Sequence, residues 1–256
     1  MANIKLYGYA TSPYVRKTGC FLYYKGIDFT HVPVNPIKPK ATIGHTNGTQ
    51  VPVLEVGGEW RRESSDHALW LDELFPDKPL YPLAHREKID EIDRWISNSF
   101  LPSYFRRSID GRFNRQFLSR AWRLAAIVNA DTPIPAPVRL MWPLMLRMAP
   151  FIRHMSQHMD LTESYEDMQV RIFSELVGHI GDGPYIGGLD QPTMLDFAVF
   201  PQLLFSYMFG LEEQCSAANY HLAIKDWLKR VAEHLPKNPM LAADRMQIQA
   251  LSGAFA

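Results

Sequence analysis

Cysteine is nearly absent: the only two among 256 residues are Cys20 and Cys215, far apart and without metal-ligand spacing. A disulfide framework and a thiolate metal site are both excluded by that count. An excess of charge of one sign is missing too. Lys plus Arg equals Asp plus Glu at 27 each, so the chain has no broad basic field of the kind that drives nucleic-acid binding, and nucleic acid is not expected as a partner. Long apolar runs are also lacking. The most apolar region, Val138 to Ile152, is broken by Arg139, Pro143, Arg147 and Pro150, which are costly in a lipid core, so no transmembrane helix is expected. The start Met1-Ala2-Asn3-Ile4-Lys5 carries no apolar signal pattern, which makes a reducing cytoplasm the simplest compartment. There are no repeats and no low-complexity tail.

What is present is enough apolar material, 46% of residues, for a full core without covalent staples, in one large or two modest domains. The first part alternates in a βαβ manner: strand Ile4 to Gly8, helix Pro13 to Lys25, Gly26 as a stop, then strand Phe29 to Val34. Parallel pairing of these two strands follows. After a connection from Asn35 to Gln50 come strands Val51 to Val56 and Glu59 to Arg62, separated by the hairpin pair Gly57-Gly58. A helix from Ser64 to Leu74 closes the unit, and Phe75-Pro76-Asp77-Lys78-Pro79 reads as a linker. This βαβ then ββα order is a thioredoxin-like arrangement, and everything after Tyr81 is helical in pattern. Ile89, Ile92, Trp95, Ile96 and Phe100 recur at helical spacing, as do Val170, Phe173, Leu176 and Val177, and both sets read as core faces. Thr193 with Asp196 resembles a capping box. Two further helices fit Ala223 to His234 and Pro239 to Leu251.

Three segments read together as a site for a thiol-bearing, peptide-like ligand. Ser12 stands at a loop-to-helix junction ahead of Pro13, where the unpaired amides of the first turn favour an anion, so its hydroxyl is placed to hold a thiolate. Pro52 between Val51 and Val53 removes a ladder donor, and a cis bond there would free the Val51 backbone to pair with a peptide. Ser64 and Ser65 open a helix whose N-terminus suits a carboxylate. Glutathione carries all three groups. Each residue also has a plain structural role: Ser12 and Ser64 as helix caps, Tyr7 and Tyr9 as packing, Lys38 and Lys40 as solvated loop lysines. No cysteine occupies position 12, so thiol exchange through a mixed disulfide is not expected there. Cys20 reads as a small buried core residue and Cys215 as inert. His154 and His158 have i, i+4 spacing but no third ligand, so no metal is expected.

On these residues the sequence resembles the glutathione transferase family over most of its length. Ser12-Pro13-Tyr14 with Arg16 is similar to the serine-proline-aromatic signature of the serine-type classes, Val51-Pro52-Val53-Leu54 to their cis-proline segment, and Glu63-Ser64 to their γ-glutamyl clamp. Gly183-Pro184-Tyr185-Ile186-Gly187 followed by Pro192-Thr193-Met194-Leu195-Asp196-Phe197 is similar to the helical-domain signature. The resemblance implies a thioredoxin-like glutathione-binding domain over residues 1–77 and an all-α domain over residues 82–256, together the glutathione transferase fold. It further implies glutathione as co-substrate and Ser12 as donor to the sulfur, with Tyr7 and Tyr9 as rivals. Glu63 would meet the γ-glutamyl amine and Ser64 its carboxylate, Val51 and Pro52 the peptide, and Lys40 (or Lys38) and Gln50 the glycyl carboxylate. The implied reaction adds the thiol to a small apolar electrophile, as in detoxification, within a cytoplasmic homodimer that engages neither nucleic acid nor membrane. Glutathione-dependent isomerisation and a non-catalytic binding or scaffold role are the alternatives.

One region is longer than such a fold requires, an enlarged segment around residues 131–160. It opens on a Pro-rich run, Thr132 to Pro137, and continues as a broad apolar stripe from Leu140 through Met145 and Met148 to Met159. An extra packed helix is the first expectation, a methionine-lined wall of an apolar pocket the second, and a membrane-surface helix the third.

Overall fold

Strand β1 (Ile4–Gly8) lies inside a four-stranded sheet ordered β2-β1-β3-β4, with β2 at Thr30–Pro33, β3 at Val53–Val56 and β4 at Glu59–Arg61. The structure is a computed structural model that describes residues 3–109, 115–211 and 221–255. β1 and β2 are parallel, Leu6 facing His31, because helix α1 (Pro13–Lys25) carries the chain back to the edge it left. β3 runs antiparallel to β1 with Leu54 opposite Leu6. The β3–β4 turn uses Gly57 and Gly58 at φ 61° and 96°, the left-handed conformation that a two-residue hairpin demands. Val51 and Pro52, expected as strand, stand outside the ladder, to which a proline has no N–H to give; their peptide bond is cis. After a short helix α2 (Lys40–Ile43) in the β2–β3 connection, α3 (Ser64–Leu74) completes the thioredoxin-like unit.

Helix α1 is the hinge of the packing. Nine of its thirteen residues are buried, since one side covers the sheet and the other meets a helix from the distal half of the chain. That partner is the helix Met194–Met208, named α11 below, in which every residue but Tyr207 is buried. At Gly19 a Cβ would come within 2.7 Å of the tip of the Leu241 side chain, so a larger residue there would push that leucine aside.

The helical part starts with α4 (Arg86–Trp95), which runs through a π turn at Ile96–Phe100 into α5 (Leu101–Ile109), and then α6 (Arg115–Asp131). The enlarged segment is not one helix but three short ones: α7 (Ala136–Leu140), α8 (Trp142–Met148) and α9 (Pro150–Ser156). Prolines 137, 143 and 150 each sit in the first turn of one of them, where the missing N–H is harmless, and they prevent a single helix from running through. Only part of the stripe faces inward: Pro143, Ile152 and Met155 are buried, whereas Leu140, Met141, Leu144, Met145 and Met148 are exposed. α10 (Tyr165–Ile180), α11 and α12 (Leu222–Ala232) finish the bundle.

The helix expected from Pro239 to Leu251 does not form. Only 3-10 turns are present, at Asp244–Met246 and Leu251–Phe255. Asn238 satisfies local backbone instead, accepting from Met240 N and donating to Ala242 O, and Leu241 takes a left-handed φ of 61°. These are the side-chain bonds by which asparagine competes with helix formation.

Asp196 ties three segments of the bundle together. Its carboxylate accepts from Thr193 N (2.8 Å), closing the expected capping box, from Ile186 N (3.0 Å) and from Trp227 Nε1 (2.8 Å) on α12. Burial pushes the carboxyl up to about 6, with the donors pulling the other way. Replacing Asp196 by Ala strands three buried N–H donors and should lower the unfolding free energy by about 3 kcal/mol or more. Asp196→Asn, which keeps one acceptor, should cost less. Urea titration reads both, and a loss under about 1 kcal/mol in the alanine variant would show that the network is not what joins these segments.

Candidate functional site

The turn ahead of α1 is closed by Ser12 N donating to Tyr9 O at 2.9 Å. Ser12 is the N-cap residue with extended backbone, yet its hydroxyl makes no capping bond. The ordinary structural use of a serine here is therefore not taken up. The residue is 5% exposed, and its hydroxyl stands at the electropositive end of a thirteen-residue helix.

A clamp holds this loop at both ends. Arg16 Nη1 donates to Ala10 O at 2.7 Å, Arg16 Nη2 donates to Gln202 Oε1, and Gln202 Nε2 donates to Pro13 O at 3.2 Å. The guanidinium also lies 3.9 Å from the ring centroid of Phe205. Arg16 is 1% exposed, and among the described residues no carboxylate pairs with it. Burial pulls it down to about 10, which still leaves it charged at neutral pH. A fixed positive charge thus sits under the loop that presents Ser12. Gln202, 186 residues away in sequence from Arg16, carries no local signal that sequence reasoning could have used.

The rival phenols are differently placed. Tyr7 donates its hydroxyl to Glu55 Oε2 at 2.8 Å, and its ring packs with Val34, Ile43 and Val53. Tyr9 closes the turn through its carbonyl, and burial raises its phenol.

Val51 forms no backbone hydrogen bond among the described residues, so its amide and carbonyl are open to a peptide-like ligand. Lys38, Lys40 and Gln50 are all exposed. Glu63 is the exposed N-cap of α3, while Ser64, its first residue, is buried with no capping bond from its hydroxyl. His67 fixes that helix start. Its Nε2 donates to Arg61 O at 2.9 Å, so Nδ1 accepts from Thr18 Oγ1 at 3.1 Å, and one fully buried ring joins β4, α3 and α1.

A cleft of about 290 Å³, open mouth included, is lined on one side by Pro13, Tyr14, Lys17, Ser64 and Ser65 and on the other by residues of the helical part such as Asp93, Ile96 and Gln202. Lys17 Nζ reaches Asp93 Oδ1 at 3.2 Å and Ser65 Oγ at 3.3 Å, so both signs of charge stand beside Ser64. Sequence reasoning missed this pair. Ser64 lines the cleft; Ser12, Val51 and Glu63 do not, and neither does any residue from 131–160, so the methionine segment is not a wall of this pocket. Cys20 is fully buried, its thiol pushed up to about 12 by burial, an inert core residue as expected. Cys215 lies outside the described residues. His154 and His158 are exposed, and no group of three or more His, Cys, Asp or Glu that could hold a metal occurs among the described residues.

Comparison with known proteins bears on the same region. Residues 6–79 match the family model described as "Glutathione S-transferase, N-terminal domain". Among solved structures, the chain is similar to a glutathione S-transferase from Rhodospirillum rubrum (TM-score 0.57, 16% identity, covering 90% of this chain and 87% of that one). It is also similar to the beta-etherase LigF from Sphingobium sp. strain SYK-6 (0.59, 16%, 90% and 95%). A third is a glutathione S-transferase from Methylobacterium radiotolerans in complex with glutathione sulfonate (0.55, 18%, 90% and 90%). At such identities the likeness concerns the fold.

His67 gives the site a pH signature. Burial lowers its pKa from 6.5 to about 4, so the folded protein refuses a proton that the unfolded chain accepts. The resulting stability is complete above 6.5 and is lost as pH falls from there toward 4, by about 3 kcal/mol. His31, His179 and His234 are lowered too and act in the same sense. Urea unfolding measured from pH 7 to pH 4 should therefore show a shallower pH dependence in His67→Gln than in the parent. Equal slopes would mean that His67 is protonated alike in both states.

Proposed function

We propose, from the match of residues 6–79 to the family model for the glutathione S-transferase N-terminal domain and from the likeness of fold, that the chain is a glutathione transferase that binds glutathione and activates its thiol at Ser12 for addition to a small apolar electrophile. The observation that carries this reading is the Ser12 hydroxyl, which is held at a helix N-terminus over the buried Arg16 charge but not used as a cap. A free thiol titrates near 8.5, and lowering that by about two units requires about 2.7 kcal/mol of preference for the thiolate. A hydroxyl donor, the first-turn amides of α1 and a guanidinium in a low-dielectric setting are the kinds of group that supply it.

In this reading the γ-glutamyl end enters the cleft beside Ser64. Its carboxylate meets Ser64 and the start of α3, with Lys17 near, and its ammonium meets Glu63 or Asp93. Val51, next to Pro52, pairs with the peptide, and Lys40 and Gln50 approach the glycyl carboxylate. Detoxification in a reducing cytoplasm and a two-fold homodimer complete the proposal. A binding or scaffold role on the same fold, and a thiol-dependent isomerisation, are the readings it competes with.

Calorimetric titration with glutathione separates the scaffold reading, and turnover with a model electrophile tests the rest. Ser12→Ala should bind glutathione nearly as the parent does but turn over far more slowly at neutral pH, with the loss recovering as pH rises toward the free thiol's own range. Ser64→Ala should weaken binding by about 1.5 to 3 kcal/mol. Full activity of Ser12→Ala at neutral pH would refute the assignment of Ser12.

A further inference from the structure

The charge of this chain is balanced only in total. Residues 101–159 contain nine arginines, two aspartates (Asp110 and Asp131) and neither lysine nor glutamate, a net +7 against −7 for all the rest. The inserted helices α7 to α9 lie within this stretch, and between Asp131 and Asp160 there is no acidic residue at all.

Those helices expose apolar side chains that a water-facing surface has no use for. Leu140 and Met148 are 68% and 65% exposed, and Met141, Leu144, Met145 and Phe151 are exposed as well, six within twelve residues. The exposed Arg139 and Arg153 flank them and form no ion pair among the described residues. Trp122 of α6, also exposed, extends the patch, its indole donating to Leu140 O at 3.3 Å. No described helix is long and apolar enough to cross a bilayer, so insertion is limited to the surface. A second copy laid patch on patch across a two-fold axis would bring arginine against arginine, so a second copy would have to meet this patch with a different, acidic face. An anionic lipid surface supplies both what the apolar side chains and what the arginines lack.

We propose that α7 to α9 form a docking surface for anionic membrane, with the Leu, Met and Phe side chains entering the headgroup–acyl boundary and Arg139 and Arg153 resting on lipid phosphates. This departs from the expectation of no membrane partner and takes up the membrane-surface helix that stands third among the expectations for this segment. Unbranched methionine side chains adapt readily to a disordered acyl environment.

The test is co-sedimentation of the full chain with phosphatidylcholine vesicles, with and without phosphatidylserine, at low and high salt. Binding is expected only with phosphatidylserine, falling steeply as salt screens it. Each basic residue near such a surface is worth about a fivefold change in partition, so Arg139→Glu with Arg153→Glu should reduce binding about 25-fold or more. Leu144→Gln with Met148→Gln should do likewise while leaving far-UV circular dichroism and the unfolding midpoint unchanged, both residues being exposed. Equal binding to the neutral vesicles, binding insensitive to salt, or variants that bind like the parent would each overturn the proposal. So would sedimentation velocity showing that Leu144→Gln with Met148→Gln converts an oligomer to monomer, since a second copy would then be the occupant.

Discussion

Arg16 joins the two halves of this molecule at the point where the candidate chemistry resides. Its guanidinium reaches Ala10 on the sheet side and Gln202 and Phe205 on α11. A buried cation without a carboxylate partner is tolerated only when dipoles and a ring face stand in for water. The same partners that satisfy the two terminal nitrogens also set the loop from Ala10 to Pro13, while the buried Nε makes no hydrogen bond. Whatever Ser12 does is thereby coupled to the packing of α1 against α11, and a shift of α11 would be felt at the loop through Gln202.

Other buried polar groups repeat that logic at the edges of the site. His67 stays neutral so that one nitrogen donates and the other accepts, which fixes the start of α3 where Ser64 emerges. Asp196, in the first turn of α11, gathers donors from Ile186 and Thr193 in the chain before that helix and from Trp227 of α12, and so holds α11 against the rest of the bundle. Lys17 and Asp93 add a partly buried ion pair across α1 and α4 at the floor of the cleft. In each case the cost of burying the group is offset by partners drawn from separate segments, which makes these residues joints between elements.

Legibility in the sequence followed the range of the interaction. β1 and α1 were readable to the residue because Pro13 and Gly26 punctuate the helix locally, and the Gly57-Gly58 hairpin and Thr193–Asp196 cap were readable for the same reason. The helix expected after Pro239 failed because periodicity was weighed without the Asn238 side chain that captures the local backbone. Three prolines divided the methionine stripe, and its outward face was invisible to a pattern that marks apolar spacing without saying which side packs. Gln202 and the Lys17–Asp93 pair could not be found, since contacts between residues 76 to 186 positions apart leave no local trace. A net charge of zero likewise concealed the separation of charge along the chain.

The proposed chemistry requires a sulfur meeting the Ser12 hydroxyl, and a crystal structure of the protein soaked with glutathione tests that contact directly. The sulfur is expected within hydrogen-bond distance of Ser12 Oγ, the γ-glutamyl carboxylate at Ser64, and the Val51 backbone paired with the cysteinyl unit. A sulfur bound to Tyr9 or Tyr7 with Ser12 unoccupied, or a ligand seated away from the start of α1, would contradict it.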